Sequence, residues 1–509
     1  MEDNLCRIGI IDIGSNSIRL VIYDTTPEGG YKIIKECKSS ARLSEKITKE
    51  GRLEQEDMKS VVPVLLQFKE VCQAFGVEKV RAGATAAIRN AANSEEIITY
   101  LSEASSIPIE IISGHQEAYF GFLGVINAFD VKDGFVIDIG GGSTEITLFR
   151  GRRYEQSISF PFGAVNTNVM FGLGGNWNGD QVRKLQAYVT GRLVEHDWLN
   201  TGTGLPLYGL GGTLRSLGKL DQKQREYSLP NSHGYTLSGE TIDRFMSILP
   251  EMTYEKRKDL EGLSKSRGDI IVSGLIIFQT VYQYIGASSA IISGEGLREG
   301  MLHDLLEPEV PVRESALEYS LGTILSFDIH ASKRHLDHIC KLAHSLFSSV
   351  KSGDHTDEQE MLIYVAIMLH RTGSNINYYQ SKRHTRYWLM NSPIRGLTHR
   401  QLILCAMIAS YSTKSRKQKL STPHKDILLA SDEEWIHKLG ALVQLSIALD
   451  GSETGIVTDL EAHLRGNNLD INLKGVHGLL LGVEDIENAL KAFKNVWDLK
   501  VKLDFPSSV

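Results

Sequence analysis

Three stretches of this chain carry residues suited to holding phosphate. Asp12-Ile13-Gly14-Ser15-Asn16-Ser17 and Asp138-Ile139-Gly140-Gly141-Gly142-Ser143-Thr144 place the same Asp-Ile-Gly triplet ahead of a turn of glycine and hydroxyl residues. Gly209-Leu210-Gly211-Gly212-Thr213 is a third glycine turn. Turns of this composition expose successive backbone N–H groups with no Cβ in the way, which suits phosphate oxygens. Ser15, Asn16, Ser17, Ser143, Thr144 and Thr213 add side-chain donors, and two such turns facing one another make a clamp. Asp12 and Asp138, at strand ends, are placed to hold a hydrated divalent cation that neutralises the phosphates. One Asp-Ile-Gly turn alone reads equally well as an ordinary hairpin. Three glycine turns in one chain point to phosphate.

Hydrolysis of a phosphoanhydride further needs a group that orients and deprotonates water, since phosphoryl transfer depends chiefly on positioning and electrostatics. Glu117, in Ile112-Ser113-Gly114-His115-Gln116-Glu117-Ala118, falls in the first turn of an expected helix. Its type and place fit a catalytic base, and they equally fit a Glu that favours a helix N-terminus. Glu145, one residue past Thr144, is open in the same way between a metal or water contact and a solvent-facing strand position.

The elements that must position these groups follow from the apolar pattern. Residues 7–24 read as a β-hairpin whose turn is the first Asp-Ile-Gly stretch, and Phe135–Ile139 and Ile146–Phe149 repeat the arrangement. This internal repeat suggests two related lobes facing one another. Between them a helix is expected over 55–75, a strand near 77–83, a helix over about 93–105 and a strand at 108–112, a mixed α/β pattern. A helix at 213–219 follows the third turn. Glu307-Pro308-Glu309-Val310-Pro311 marks a linker, beyond which helical periodicity dominates to about 450. Strand-like stretches at 469–473, 479–483 and 499–503 around a helix at 484–496 close the chain. The expected organisation is lobe I over 1–124, lobe II over 125–305, a helical domain over 306–450 and a small α/β domain over 451–509.

The bulk properties narrow the function classes. A chain of 509 residues exceeds one ordinary core. With 42% hydrophobic and 23% charged residues it is neither disordered nor fibrous. A net charge of −7 gives no overall pull toward nucleic acid or anionic membrane, so an anionic substrate must meet a local basic patch. The five cysteines are scattered and read as reduced thiols. No stretch approaches the roughly 18 apolar residues of a spanning helix, and the first residues lack a signal-peptide pattern. The expected compartment is the cytoplasm.

Together, Asp12–Ser17, Ile112–Ala118, Asp138–Glu145 and Gly294-Glu295-Gly296-Leu297-Arg298-Glu299-Gly300 resemble, in order and spacing, the exopolyphosphatase and guanosine pentaphosphate phosphohydrolase family. The likeness extends over the whole chain and is most specific in the first 300 residues. It implies an actin-like (ribonuclease H-like) α/β fold, Glu117 as the catalytic base, Asp138 and Glu145 as Mg2+ ligands, and a homodimer. Arg89, in Thr85-Ala86-Ala87-Ile88-Arg89-Asn90, is similar to the family segment whose Arg contacts phosphate, and its alternative is a solvated helix-terminal Arg. Arg267 and Asp269, in Ser264–Asp269, resemble another segment near the site, although Asp269 suits a helix N-cap equally.

His335, His370 and His384 sit at positions similar to histidines of the HD metal-phosphohydrolase fold, which the family carries as its third domain. The bridging Asp residues are missing, since Arg371 and Ile447 stand at their positions. The histidines therefore read as structural or phosphate-contacting. Segment 380–425 holds Lys382, Arg383, Arg386, Arg395, Arg400, Lys414, Arg416, Lys417, Lys419 and Lys425 but no Asp or Glu. A solvated helix face explains such a run, and so does a track for a long polyanion, for which Lys382, Arg383, Lys414, Arg416 and Lys417 are the candidates. Nucleic acid is not expected, because the interleaved aromatics are few. The leading expectation is Mg2+-dependent release of orthophosphate from the ends of inorganic polyphosphate. The runner-up is removal of the terminal phosphate of pppGpp, followed by an actin-like kinase or a non-catalytic polyphosphate sensor.

Overall fold

The computed structural model of the chain describes residues 5–48, 50–172, 174–328, 332–350, 356–412, 419–475 and 482–504. The chain divides into two compact units, Met1–Tyr319 and Ser320–Val509. The first unit is built on two sheets. One has the order β3-β2-β1-β4-β5, from Cys6–Ile13 (β1), Ser17–Thr25 (β2), Tyr31–Ser40 (β3), Lys79–Ala84 (β4) and Ile109–Ile111 (β5). The other has the order β10-β11-β9-β6-β7-β8, from Gly134–Ile139 (β6), Thr144–Arg150 (β7), Arg153–Phe160 (β8), Leu207–Leu210 (β9), Thr236–Leu237 (β10) and Ala290–Ile292 (β11).

The faint sequence repeat is a repeat of topology. In each sheet a three-strand antiparallel meander, β1-β2-β3 or β6-β7-β8, passes through helices to strands that pair in parallel with its first strand. β1 and β6 are therefore equivalent central strands, and each ends at its Asp-Ile-Gly triplet. Even the turn closure is shared, because Gly14 N–H donates to Ser17 O at 3.2 Å and Gly140 N–H to Ser143 O at 3.0 Å.

β1 and β6 read as near-continuous apolar runs because they are covered on both faces. Each sheet buries its own core on one face, the first around Ile11, Ile13, Leu20 and Leu65, the second around Ile137, Ile146, Leu275 and Phe278. A third core joins the inner faces, where Ile10, Tyr23, Phe122, Val136 and Tyr208 pack about the helices Gly114–Ile126 and Leu297–Leu306. Those helices approach closely because glycine removes the obstruction. A side chain at Gly300 would collide with the Phe120 backbone, and one at Gly124 with the Gly296 backbone.

The second unit holds the helices Lys333–Val350, Asp357–Leu369, Ser381–Asn391, His399–Ala409 and Asp432–Leu449. Lys333–Val350 buries Leu336, Ile339, Ala343, Leu346 and Val350, a stripe at helical spacing. A three-stranded sheet follows, of order β12-β13-β14, from Asp459–Arg465 (β12), Asn468–Lys474 (β13) and Lys500–Asp504 (β14), with the helix Val483–Trp497 between the last two. The strand expected at 479–483 falls mostly outside the described residues, and Val483 itself opens that helix. β12 supplies the remaining strand, its apolar signal diluted by Asp459, Glu461, His463 and Arg465 on a half-exposed hairpin. Among the described residues, no helix is long and apolar enough to cross a membrane.

Candidate active site

The three glycine turns and the two Asp residues meet in one cleft of the first unit. Asp12, Gly14, Ser15, Asn16, Ser17, Asp138, Gly140, Gly141, Ser143, Gly211, Gly212, Glu117 and Arg267 all line it. The two related turns lie against each other. A Cβ on Gly141 would stand 2.9 Å from that of Ser15, and one on Gly142 would stand 3.1 Å from Ser15 Oγ. Gly211 has φ +81°, and a Cβ there would stand 2.9 Å from Asp138 Oδ1, so this turn requires glycine both for its backbone and for its neighbour. At Gly212 a side chain would occupy the place of the Arg267 guanidinium.

Glu117 is held by helix chemistry. Ser113 caps the helix Gly114–Ile126, its hydroxyl accepting from Gln116 N–H while Gln116 Oε1 accepts from Ser113 N–H. That cap sets Glu117 in the first turn, buried and facing the cleft. Arg89 reaches it from the segment after β4, donating Nη1 to Glu117 Oε2 at 2.6 Å and to Ile112 O at 2.9 Å. Its Nη2 lies 3.8 Å from Glu145 Oε1. Arg89 is thus partnered with the two glutamates rather than solvated. Glu145 is buried on β7, where Oε1 accepts from Ser159 Oγ at 2.7 Å. Its Oε2 is buried and finds no well-formed hydrogen bond, although the Ser143 hydroxyl is near enough to the same carboxylate to favour its ionised form by hydrogen bonding.

These carboxyls crowd one another, and burial disfavours their charged forms. Burial raises Glu117 to about 7, with Arg89 opposing and Asp138 and Asp12 adding to the rise. Asp138 is pushed up to about 6 by burial, with Arg215 opposing and Asp12 adding. Glu145 lies well above the ordinary carboxylate range through burial and the charges of Glu117 and Asp138. Asp12 is raised by burial against Arg298 and Arg19. A cation among these oxygens would relieve all four. They are hard ligands suited to Mg2+, and Glu145 Oε2 is an unused one. Among the described residues no three acidic, His or Cys side chains converge into a complete metal cage.

Other expected residues stand behind the cleft wall. The Thr144 hydroxyl donates to Phe162 O at 2.7 Å, which commits it to the β7–β8 hairpin rather than to a ligand. Thr213 is buried against Gly274. Asp269 does not cap the helix Ile271–Tyr284 but pairs with Arg42 at 3.3 Å.

Sequence reasoning missed Arg19, Arg215 and Arg298, which line the cleft with Arg267. Each carried a signal. Arg19 is two residues past Ser17 and so on the same face of β2, Arg215 is two residues past Thr213 near the start of the helix Gly211–Gln224, and Arg298 stands inside the Gly294–Gly300 motif. Burial and the charges of Arg215 and Arg19 push Arg267 down to about 10. Burial acts against the charge of Arg298 too, yet Glu299, Tyr23 and Asp12 hold it above its ordinary range.

In the second unit, His335 and His370 line a separate cavity of about 350 Å³ together with Lys382. His335 Nδ1 lies 2.7 Å from Asp450 Oδ2. His370 Nδ1 donates to Ile367 O, and burial lowers His370 to about 4. His384 is in the helix Ser381–Asn391 and is not part of the lining. Of the basic stretch, Lys382 donates to Tyr411 O, Arg386 to Ser410 Oγ, and Arg400 pairs with Glu358 and Asp432. Arg383 is exposed, and Lys414, Arg416 and Lys417 lie outside the described residues.

Residues 21–309 match the model of the Ppx/GppA phosphatase family, and residues 313–491 match that of Ppx/GppA phosphatase, domain III. The fold is similar to the crystal structure of the Aquifex aeolicus member of that family, at 29% identity and a TM-score of 0.52 over 60% of this chain and 99% of the other. It is also similar to an exopolyphosphatase from Cytophaga hutchinsonii, at 25% identity and a TM-score of 0.55 over 60% of this chain and all of that one. A bifunctional 3-dehydroquinate synthase/phosphatase of Fusobacterium nucleatum is 28% identical over 304 residues, 57% of this chain. The match spans less than half of that relative's length, 45%.

Proposed function

Because this chain belongs to the Ppx/GppA phosphatase family, whose actin-like fold it shares, we propose that it is an exopolyphosphatase, releasing orthophosphate from the ends of inorganic polyphosphate with Mg2+. One observation carries this reading. The cleft sets four guanidiniums, Arg19, Arg215, Arg267 and Arg298, beside the phosphate turns and the carboxylates of Asp12, Asp138 and Glu117. Guanidiniums suit phosphate oxygens. The cleft encloses about 160 Å³, below the roughly 300–1,000 Å³ of pockets that enclose drug-sized ligands, which suits a chain end. The similar Cytophaga hutchinsonii protein is an exopolyphosphatase, which supports the same reading.

In this reading the turns at 14–17, 140–143 and 211–212 cradle the terminal phosphate, and the arginines hold those behind it. Glu117 takes a proton from water as its oxygen attacks the terminal phosphorus. The bridging P–O bond breaks, and its electron pair leaves with the shortened chain. Arg89 orients the Glu117 carboxylate and keeps part of it ionised near neutral pH. Mg2+ held by Asp138 and Glu145 would neutralise phosphate oxygens.

The test is orthophosphate release with Mg2+ from long-chain polyphosphate and from pppGpp in parallel, with Glu117→Ala as control. Faster release from polyphosphate that vanishes in the variant is expected. Preferential cleavage of pppGpp would reassign the substrate, and ADP formation from ATP with an alcohol acceptor would replace hydrolysis with kinase chemistry.

A further inference from the structure

The row of cations does not end at the cleft lining. β3 lies at the edge of its sheet and pairs with β2 in a register that sets Lys38 opposite Arg19 and Ser40 opposite Ser17. Residues directly across from each other share a face. Ser17 and Arg19 line the cleft, so Ser40 and Lys38 continue its surface outward along the edge strand. Glu36, two residues before Lys38, faces the same way. Its Oε1 lies 3.3 Å from Arg19 Nη1 and 3.2 Å from Arg298 Nη1.

This placement is costly for the protein alone, because like charges directly opposite in neighbouring strands repel. Lys38 is exposed and, among the described residues, forms no salt bridge. Burial of its surroundings and then the charges of Arg19 and Arg267 press its ammonium below the ordinary range, with Arg215 adding to them and Glu36 opposing. Among the described residues, the salt bridges of the row run to one half-exposed carboxylate, Glu36, shared between Arg19 and Arg298, while Asp12 and Glu299 act on the same two guanidiniums from inside the cleft. A multivalent anion running from the cleft over β2 and β3 would answer every charge in the row.

We propose that Lys38 is an outer phosphate subsite and that Glu36 is the internal counterion the substrate displaces, so that a polyphosphate chain leaves the cleft across the open edge of β3. The proposal rests on the polyphosphate reading above and adds the direction of the chain and two residues that set its length dependence. Lys35 provides a control, since it is an exposed lysine of the same strand on the opposite face from Glu36.

The experiment measures steady-state orthophosphate release from tripolyphosphate and from a chain of some tens of phosphates, and in parallel long-chain binding by titration calorimetry. Wild type, Lys38→Ala, Glu36→Gln and Lys35→Ala are compared. Lys38→Ala is expected to raise KM for the long chain several-fold more than KM for tripolyphosphate, and to flatten the log–log salt dependence of long-chain binding by about one. Glu36→Gln is expected to tighten long-chain binding several-fold. Lys35→Ala should keep the wild-type ratio of the two KM values. Equal effects of Lys38→Ala and Lys35→Ala, or equal proportional losses on both substrates, would overturn the subsite. Wild-type protein that binds the long chain without releasing orthophosphate would sink the hydrolase reading instead, and the subsite would then stand or fall on the Lys38→Ala affinity.

Discussion

Arg19 and Glu145 hold equivalent positions in the two related sheets, each directly across from the Asp of an Asp-Ile-Gly strand. Asp12 of β1 faces Arg19 of β2, and Asp138 of β6 faces Glu145 of β7. The repeat therefore offers a cation in one lobe and a second carboxylate in the other. In the proposed reading that asymmetry would divide the work, with phosphate contact beside Asp12 and metal-type oxygens beside Asp138.

The two positions should fail differently. Arg19→Gln is expected to raise KM for polyphosphate with the Mg2+ requirement unchanged. Glu145→Gln should raise the Mg2+ concentration for half-maximal rate and lower kcat. Rates measured across a Mg2+ series in both variants decide this, and identical profiles would contradict the division.

Glu117 sets the pH response. Without metal, burial raises its carboxyl to about 7, and a bound Mg2+ would lower it; a base must be ionised, so kcat/KM should climb with pH through a limb that moves to lower pH as Mg2+ is raised. Arg89 favours the ionised form, so its removal raises the Glu117 value further. In Arg89→Met the limb should move to higher pH. Glu117→Gln should lose roughly 10²–10⁴ in kcat at all pH values while unfolding at a similar temperature.

Gly211 tolerates no side chain. Gly211→Ala forces a Cβ into a left-handed backbone and against Asp138 Oδ1, which should cost about 1–3 kcal/mol of stability. The phosphate turn should be displaced at the same time, so kcat falls by more than the unfolding curve accounts for. Urea titration beside initial rates separates the two effects.

Arg257 is buried completely, and its guanidinium donates to the carbonyls of Gly175, Leu249, Met252 and Gly268. It therefore braces the segment that carries Arg267. Arg257→Met leaves four carbonyls without this donor, at about 1–3 kcal/mol for each that stays unsatisfied. A lower Tm and a raised KM are expected together, and a changed KM at unchanged Tm would argue against the bracing role.

What the sequence determined by itself was local. The closures Gly14 to Ser17 and Gly140 to Ser143, the cap that sets Glu117 in its first turn, and the shared Asp-Ile-Gly spacing all depend on neighbours within a few residues. Backbone freedom and short hydrogen bonds settle such features, so residue types at fixed offsets reveal them. The tertiary structure decided the rest. Thr144 lies in a phosphate-type turn, yet its hydroxyl is spent on Phe162, eighteen residues away. Asp269 suits a cap by spacing, yet it pairs with Arg42 from the other lobe. Arg19, Arg215, Arg267 and Arg298 are scattered across the chain, and only the packing of two sheets through the helices Gly114–Ile126 and Leu297–Leu306 brings them to one wall. A charge on a strand or helix is compatible with solvent in any local reading. Its burial beside other charges is fixed by which surfaces close on each other, and that depends on long-range packing.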